Sequence, residues 1–106
     1  MKKEELIQFL LRARTKTYAG AAGKVSPVFD GSNQLEYKEE DWFYRDLYHA
    51  GNQIFMGVEA VNFQGKPVYA MSYYGTHKGT TDEEIDRILR EALLANWEIA
   101  RIWKNI

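Results

Sequence analysis

Two acidic residues in this chain have neighbours suited to chemistry. Asp46 stands between Tyr44 and Tyr48, and Glu59 follows Phe55 and Gly57 at the same every-second-residue spacing. In a strand, residues two apart share a face, so each carboxylate is set among aromatic side chains. Two such carboxylates raise each other's pKa, and aromatic surroundings desolvate them further. That combination suits general acid–base work. It equally suits a cationic or polyhydroxylated ligand, with rings to stack on it and acids to hydrogen-bond it. A purely structural role also accounts for them: hydrogen bonds from tyrosine hydroxyls, or pairing with Arg45, Lys38 or a loop lysine.

Bringing these residues together is the task of residues 42–75. Residues 42–50 are rich in aromatics, which favour a pleated, half-buried surface. Gly51-Asn52 reads as a two-residue hairpin turn and residues 53–62 as the return strand. A three-residue loop, Phe63-Gln64-Gly65, follows, and residues 68–74 form a third strand. Pro67 has no N–H for a ladder, which places this strand at an edge. In this register Tyr44 faces Glu59, Asp46 faces Gly57, and Glu59 faces Tyr69, so Asp46 and Glu59 are diagonal neighbours. One face then carries Trp42, Tyr44, Asp46, Tyr48, Phe55, Gly57, Glu59, Val61, Tyr69, Met71 and Tyr73. The opposite face is aliphatic in the middle, with Leu47, Ile54, Met56, Val58, Ala60 and Val68, and reads as the face that helices cover.

The remaining elements frame this meander. Residues 3–15 form an amphipathic helix through Leu6, Phe9, Leu10 and Ala13, with Glu4 and Glu5 at its start and basic residues near its end. Residues 17–34 contain three glycines and a proline and read as a loop. Its Tyr18–Gly23 portion has small residues but lacks the Walker lysine and its spacing. As a flap over a pocket, this loop would bring Tyr18 to the site. Residues 34–38 form a short first strand; if it pairs with the next one, Glu36 joins the acidic site. Thr81 and Glu84 form a capping box for a last helix that follows Ile85, Ile88, Leu89, Ala92 and Leu93 and extends to about 104. Trp97, Ile99, Ile102 and Trp103 at its end suggest either a partner (a second copy of the chain) or packing of the tail on the protein's own sheet.

Composition narrows the function. Fourteen basic and fifteen acidic residues leave a net charge of −1, which argues against direct nucleic-acid binding. With no cysteine there is no disulfide or thiolate chemistry. His49 and His77 have no metal-ligand spacing, so neither a metal nor another cofactor is expected. The apolar part of MKKEELIQFLLRAR is too short for a signal peptide and no run reaches membrane-spanning length, so a cytoplasmic location is expected.

Several of these pieces in order carry a resemblance: Tyr18-Ala19-Gly20, Leu35-Glu36-Tyr37, Tyr44-x-Asp46-x-Tyr48, Phe55-x-Gly57-x-Glu59, Gly65 to Met71, and Tyr73-Tyr74-Gly75. Together, over residues 5–95, they resemble a bacterial domain of unknown function of about 100 residues, found alone or fused behind Xre-type helix-turn-helix regulators. The resemblance implies a compact module that can serve a transcription factor as effector or oligomerisation domain. It carries no catalytic residues. No helix-turn-helix is present, because the whole sheet separates the two helices.

The expectation is one α+β domain over residues 1–106. A curved antiparallel four-stranded meander is flanked by an N-terminal and a long C-terminal helix, in the order α-β-β-β-β-α. The expected function is a non-enzymatic small-molecule-binding or sensor module using Tyr44, Asp46, Tyr48, Glu59, Tyr69, Tyr73, Glu36 and Tyr18. The alternatives are a small enzyme with Asp46 and Glu59 as acid and base, and a dimerisation module.

Overall fold

Tight turns between strands rich in aromatic and β-branched residues dictate a sheet in which every strand pairs with the next in sequence. In the computed structural model this is what forms. The structure describes residues 2–19 and 23–96, with side chains described for 2–17 and 23–91. Strands β1 (Lys24–Val25), β2 (Asn33–Glu39), β3 (Trp42–Gly51), β4 (Ile54–Phe63) and β5 (Lys66–Thr76) make one antiparallel sheet in the order β1-β2-β3-β4-β5. Helix α1 (Lys3–Arg14) precedes it and α2 (Asp82–Asn96) follows it. The sheet therefore has five strands, not four. The extra one, β1, is only two residues long, too short for any alternation in sequence, and pairs with Leu35 and Gln34.

Both turn positions also differ from expectation. The β3–β4 turn is Asn52-Gln53, both with positive φ (54° and 62°), and Gly51 still pairs with Ile54. The β4–β5 turn is Gln64-Gly65, again with both φ positive (53° and 76°). This is the mirror-image two-residue turn whose twist matches that of the flanking strands. A bulge beside Val61/Asn62 absorbs the residue that a three-residue loop would have held. Val68 is the extra residue there, and it packs against the core instead of joining the outer face. β5 is an edge strand, a position that tolerates Pro67.

Displacing each pairing by two residues leaves side chains on the same faces, because the side-chain period is two. The aromatic–acidic face survives, with one change: Asp46 now lies directly opposite Glu59.

The larger correction concerns which face the helices cover. Leu6, Phe9, Leu10 and Ala13 of α1 form one core with Trp42, Tyr44 and Val61 from the aromatic–acidic face. Phe9 stacks on Trp42 at 5.1 Å and on Tyr37 at 5.8 Å. α2 lies over the same side of the sheet, with Ile85 and Leu89 turned inward and Ile88 exposed. On the aliphatic outer face Met56, Val58 and Tyr74 remain 49%, 50% and 65% exposed. Large aromatic rings bury more area than β-branched side chains, so the helices gain most on the aromatic side.

After Arg14 the first helix loosens into one π-helical turn, Thr15–Ala19. The Thr15 and Thr17 hydroxyls there bond back to the carbonyls of Leu11 and Ala13, a pattern that bends helices. α2 starts as its cap predicts: the Glu84 N–H bonds the Thr81 hydroxyl. The other half of the box differs, since Glu84 accepts from the Thr80 hydroxyl instead. Residues 97–106, with Trp97, Ile99, Ile102 and Trp103, lie outside the described residues. No helix among the described residues is long and apolar enough to cross a membrane.

Candidate functional site

Strand alternation places Glu59 of β4 on the covered face, where burial would be prohibitive without a counter-ion. Arg14 supplies it. It follows Leu6 and Leu10 at four-residue intervals along α1, so the stripe that carries the core also carries this guanidinium inward. The pairing is bidentate: Nε donates to Oε2 at 2.8 Å and Nη2 to Oε1 at 2.5 Å. Tyr44, fully buried, donates its hydroxyl to Oε2 at 2.5 Å. Tyr69 donates to Oε1 at 3.5 Å and accepts from Arg14 Nη2 at 3.3 Å. Burial works against charge on Arg14, but the hydrogen bonds and negative charge of Glu59 outweigh it and hold its pKa above the usual value. The Tyr44 hydroxyl is pushed well up by burial and by the adjacent Glu59.

Asp46, opposite Glu59 on β3, has a different environment. It is 6% exposed and receives one hydrogen bond, from the Tyr73 hydroxyl to Oδ1 at 2.6 Å. Burial raises its pKa to about 6, and the negative charge of Glu59 adds to the rise; the Tyr73 hydrogen bond and Arg14 oppose it. Gly57 makes this arrangement possible. A Cβ there would lie 2.6 Å from Tyr48 Cβ and 2.7 Å from the Tyr73 hydroxyl. At Gly75, a Cβ would clash with the Phe55 ring.

Beside Asp46 and Glu59 a cavity of about 290 Å³ opens between the inner sheet face and α2. Its polar end holds Arg14, Tyr44, Asp46, Glu59 and Tyr73. Tyr48, Phe55, Met71, Ile85 and Leu89 form much of the rest of the wall. At the far end His77 Nε2 lies 2.8 Å from Asp82 Oδ1, and Asp82 also accepts the Gln53 N–H. Asp86 of α2 is paired with Arg90 at 2.7 Å, and both act on the Tyr48 hydroxyl, whose pKa burial raises. Two buried side-chain atoms have no hydrogen-bond partner among the described residues, Arg14 Nη1 and His77 Nδ1. Both belong to residues of the cavity wall.

Of the residues predicted from sequence, Tyr44, Asp46, Tyr48, Glu59 and Tyr73 converge on this cavity. Tyr69 touches Glu59 but does not line it. Glu36 does not line this cavity: it sits on the outer face, pairing with Arg45 at 2.9 Å and accepting from Gln34. β2 pairs Glu36 with Arg45, and that parity turns it away from Asp46. The Tyr18 side chain lies outside the described residues. Sequence reasoning missed Arg14, His77 and Asp82. The Leu6–Leu10–Arg14 spacing was the available sign for Arg14; the approach of His77 to Asp82 depends on how the loop between β5 and α2 closes.

The model of a family described as a domain of unknown function (DUF5680) matches residues 46–102, more than half of the chain. That segment includes Asp46, Gly57, Glu59, Tyr73, His77, Asp82 and Asp86, and excludes α1 with its Arg14. No curated protein and no solved structure matches the chain. By the extent of the family match, the chain belongs to the DUF5680 family of unknown function.

Proposed function

We propose that this chain is a small-molecule-binding module whose ligand occupies the cavity under α2. One observation carries this reading. Buried charges are ordinarily paired, yet Asp46, buried on the wall of this cavity, has only the neutral Tyr73 hydroxyl as a hydrogen-bond partner and no basic side chain within ion-pair distance among the described residues. Its volume is close to the lower end of the ~300–1,000 Å³ typical of small-ligand pockets, and aromatic and aliphatic side chains dominate the wall. The resemblance to bacterial modules fused behind Xre-type regulators supports a sensor or effector role in the cytoplasm. Native mass spectrometry of protein purified gently from its host tests the reading. A mass above the bare chain, lost in Ile85→Trp, is the expected result. A bare chain, with no thermal shift from a fragment library, would sink it.

One observation favours an enzyme as a second reading. Asp46 titrates near 6 at the edge of a cavity, where a general acid–base is effective. Glu59 is engaged by Arg14 and Tyr44, so this reading rests on Asp46 alone. It requires turnover with a pH profile that inflects near that value.

A further inference from the structure

Four carboxylates line the cavity: Asp46, Glu59, Asp82 and Asp86. Three have basic partners. Glu59 has Arg14, Asp82 has His77, and Asp86 has Arg90. Asp46 alone has no basic side chain within ion-pair distance among the described residues; its partner is the neutral Tyr73 hydroxyl. Arg14, the one guanidinium in the wall, is spent on Glu59. Among the described residues the wall therefore has one acid without a basic partner and no unpaired guanidinium, which disfavours an anionic ligand and favours a cation at Asp46.

The kind of cation follows from the oxygens on offer. Tyr73 already occupies Oδ1. Asp46 Oδ2 accepts no hydrogen bond among the described residues, and an ammonium is a point donor that one carboxylate oxygen can seat. Tyr48 and Tyr73 line the cavity beside Asp46, and aromatic side chains near a cation can add to its binding. Ala50, Phe55, Met71, Ile85 and Leu89 make an apolar stretch of the wall, with His77–Asp82 and Asp86–Arg90 already paired around it, so an apolar body fits beside the ammonium.

We infer that the ligand is an amphiphilic monoamine, its ammonium seated on Asp46 beside Tyr48 and Tyr73 and its apolar body running under α2. The inference rests on reading the cavity as a binding site. Charged and titratable groups around the seat come from every packed element: Arg14 from α1, Tyr44 and Tyr48 from β3, Glu59 from β4, Tyr73 from β5 and Asp86 from α2.

Calorimetric titration of the full chain near neutral pH tests it with three isosteres: 4-phenylbutylamine, 4-phenylbutanol and 4-phenylbutyrate. The amine should bind about tenfold or more tighter than the alcohol, and the carboxylate weakest. Asp46→Asn should erase the amine's advantage over the alcohol, with a thermal melt confirming that the variant is folded. Equal binding of amine and alcohol to the wild type, or an amine preference that survives Asp46→Asn, overturns the amine assignment while leaving the cavity reading intact. If none of the three binds and host-purified protein carries no added mass, the cavity reading falls, and the amine with it.

Discussion

Replacing Asp46 by Asn should make the protein more stable at neutral pH, although it removes a hydrogen-bonded residue from the buried site. The folded structure raises the Asp46 pKa from 3.8 to about 6. A shift of roughly two units at 1.36 kcal/mol each sets the cost of keeping this carboxylate ionised at about 3 kcal/mol. Because the folded value is the higher one, that cost is absent below about pH 4, where both states are protonated, and complete above about pH 6. Asn keeps an oxygen for the Tyr73 hydroxyl but adds an NH₂ that needs a partner, at a cost of about 1 kcal/mol. The net gain at neutral pH is then about 2 kcal/mol, or roughly 10 °C in Tm for a domain of this size. Urea unfolding of both proteins at several pH values measures it. The difference between variant and wild type should be small in acid, climb between about pH 4 and 6, and level off above. A difference independent of pH, or a variant that loses stability as pH rises, would refute the assignment of Asp46 as a costly buried acid.

Three further outcomes are expected. Glu59→Gln leaves the Arg14 charge buried without its counter-ion and should cost about 3–5 kcal/mol by denaturant unfolding, whereas the double change Arg14→Met/Glu59→Leu should recover most of that loss. Gly57→Ala forces Tyr48 and the Tyr73 hydroxyl aside; it should destabilise by about 1–3 kcal/mol, and a high-resolution structure should show the Tyr73–Asp46 bond lengthened. Val58→Thr on the outer face should change stability by no more than about 0.5 kcal/mol, because that side chain is half exposed.

Face membership on β3, β4 and most of β5 was legible because a strand has period two, and a hairpin turn displaced by one residue moves its pairs by two. Tyr44, Asp46, Tyr48, Glu59 and Tyr73 therefore stay together although Gly51-Asn52 is not the turn. Which face is covered was harder to read. Met56 and Val58 look like a packing surface, and carboxylates look like a solvent face, until a counter-ion is found for Glu59. That counter-ion lies forty-five residues away on α1, a separation no local pattern spans. Strand β1 was illegible for the opposite reason: two residues contain no period. His77 and Asp82 come together through a loop whose path side-chain alternation does not control.

The nearest-neighbour order of the five strands bears on how the chain reaches its native state. The three hairpins from β2 to β5 each close a two-residue turn, so the sheet can zip outward from β3–β4 or β4–β5 with little loop-closure entropy. The Arg14–Glu59 pair instead joins segments distant in sequence, and its desolvation is repaid only when the guanidinium meets a carboxylate already held by the strand. Sheet formation before helix docking is the order this topology favours. Substitutions in the β3–β4 turn should therefore slow folding, while those at Arg14 should chiefly speed unfolding.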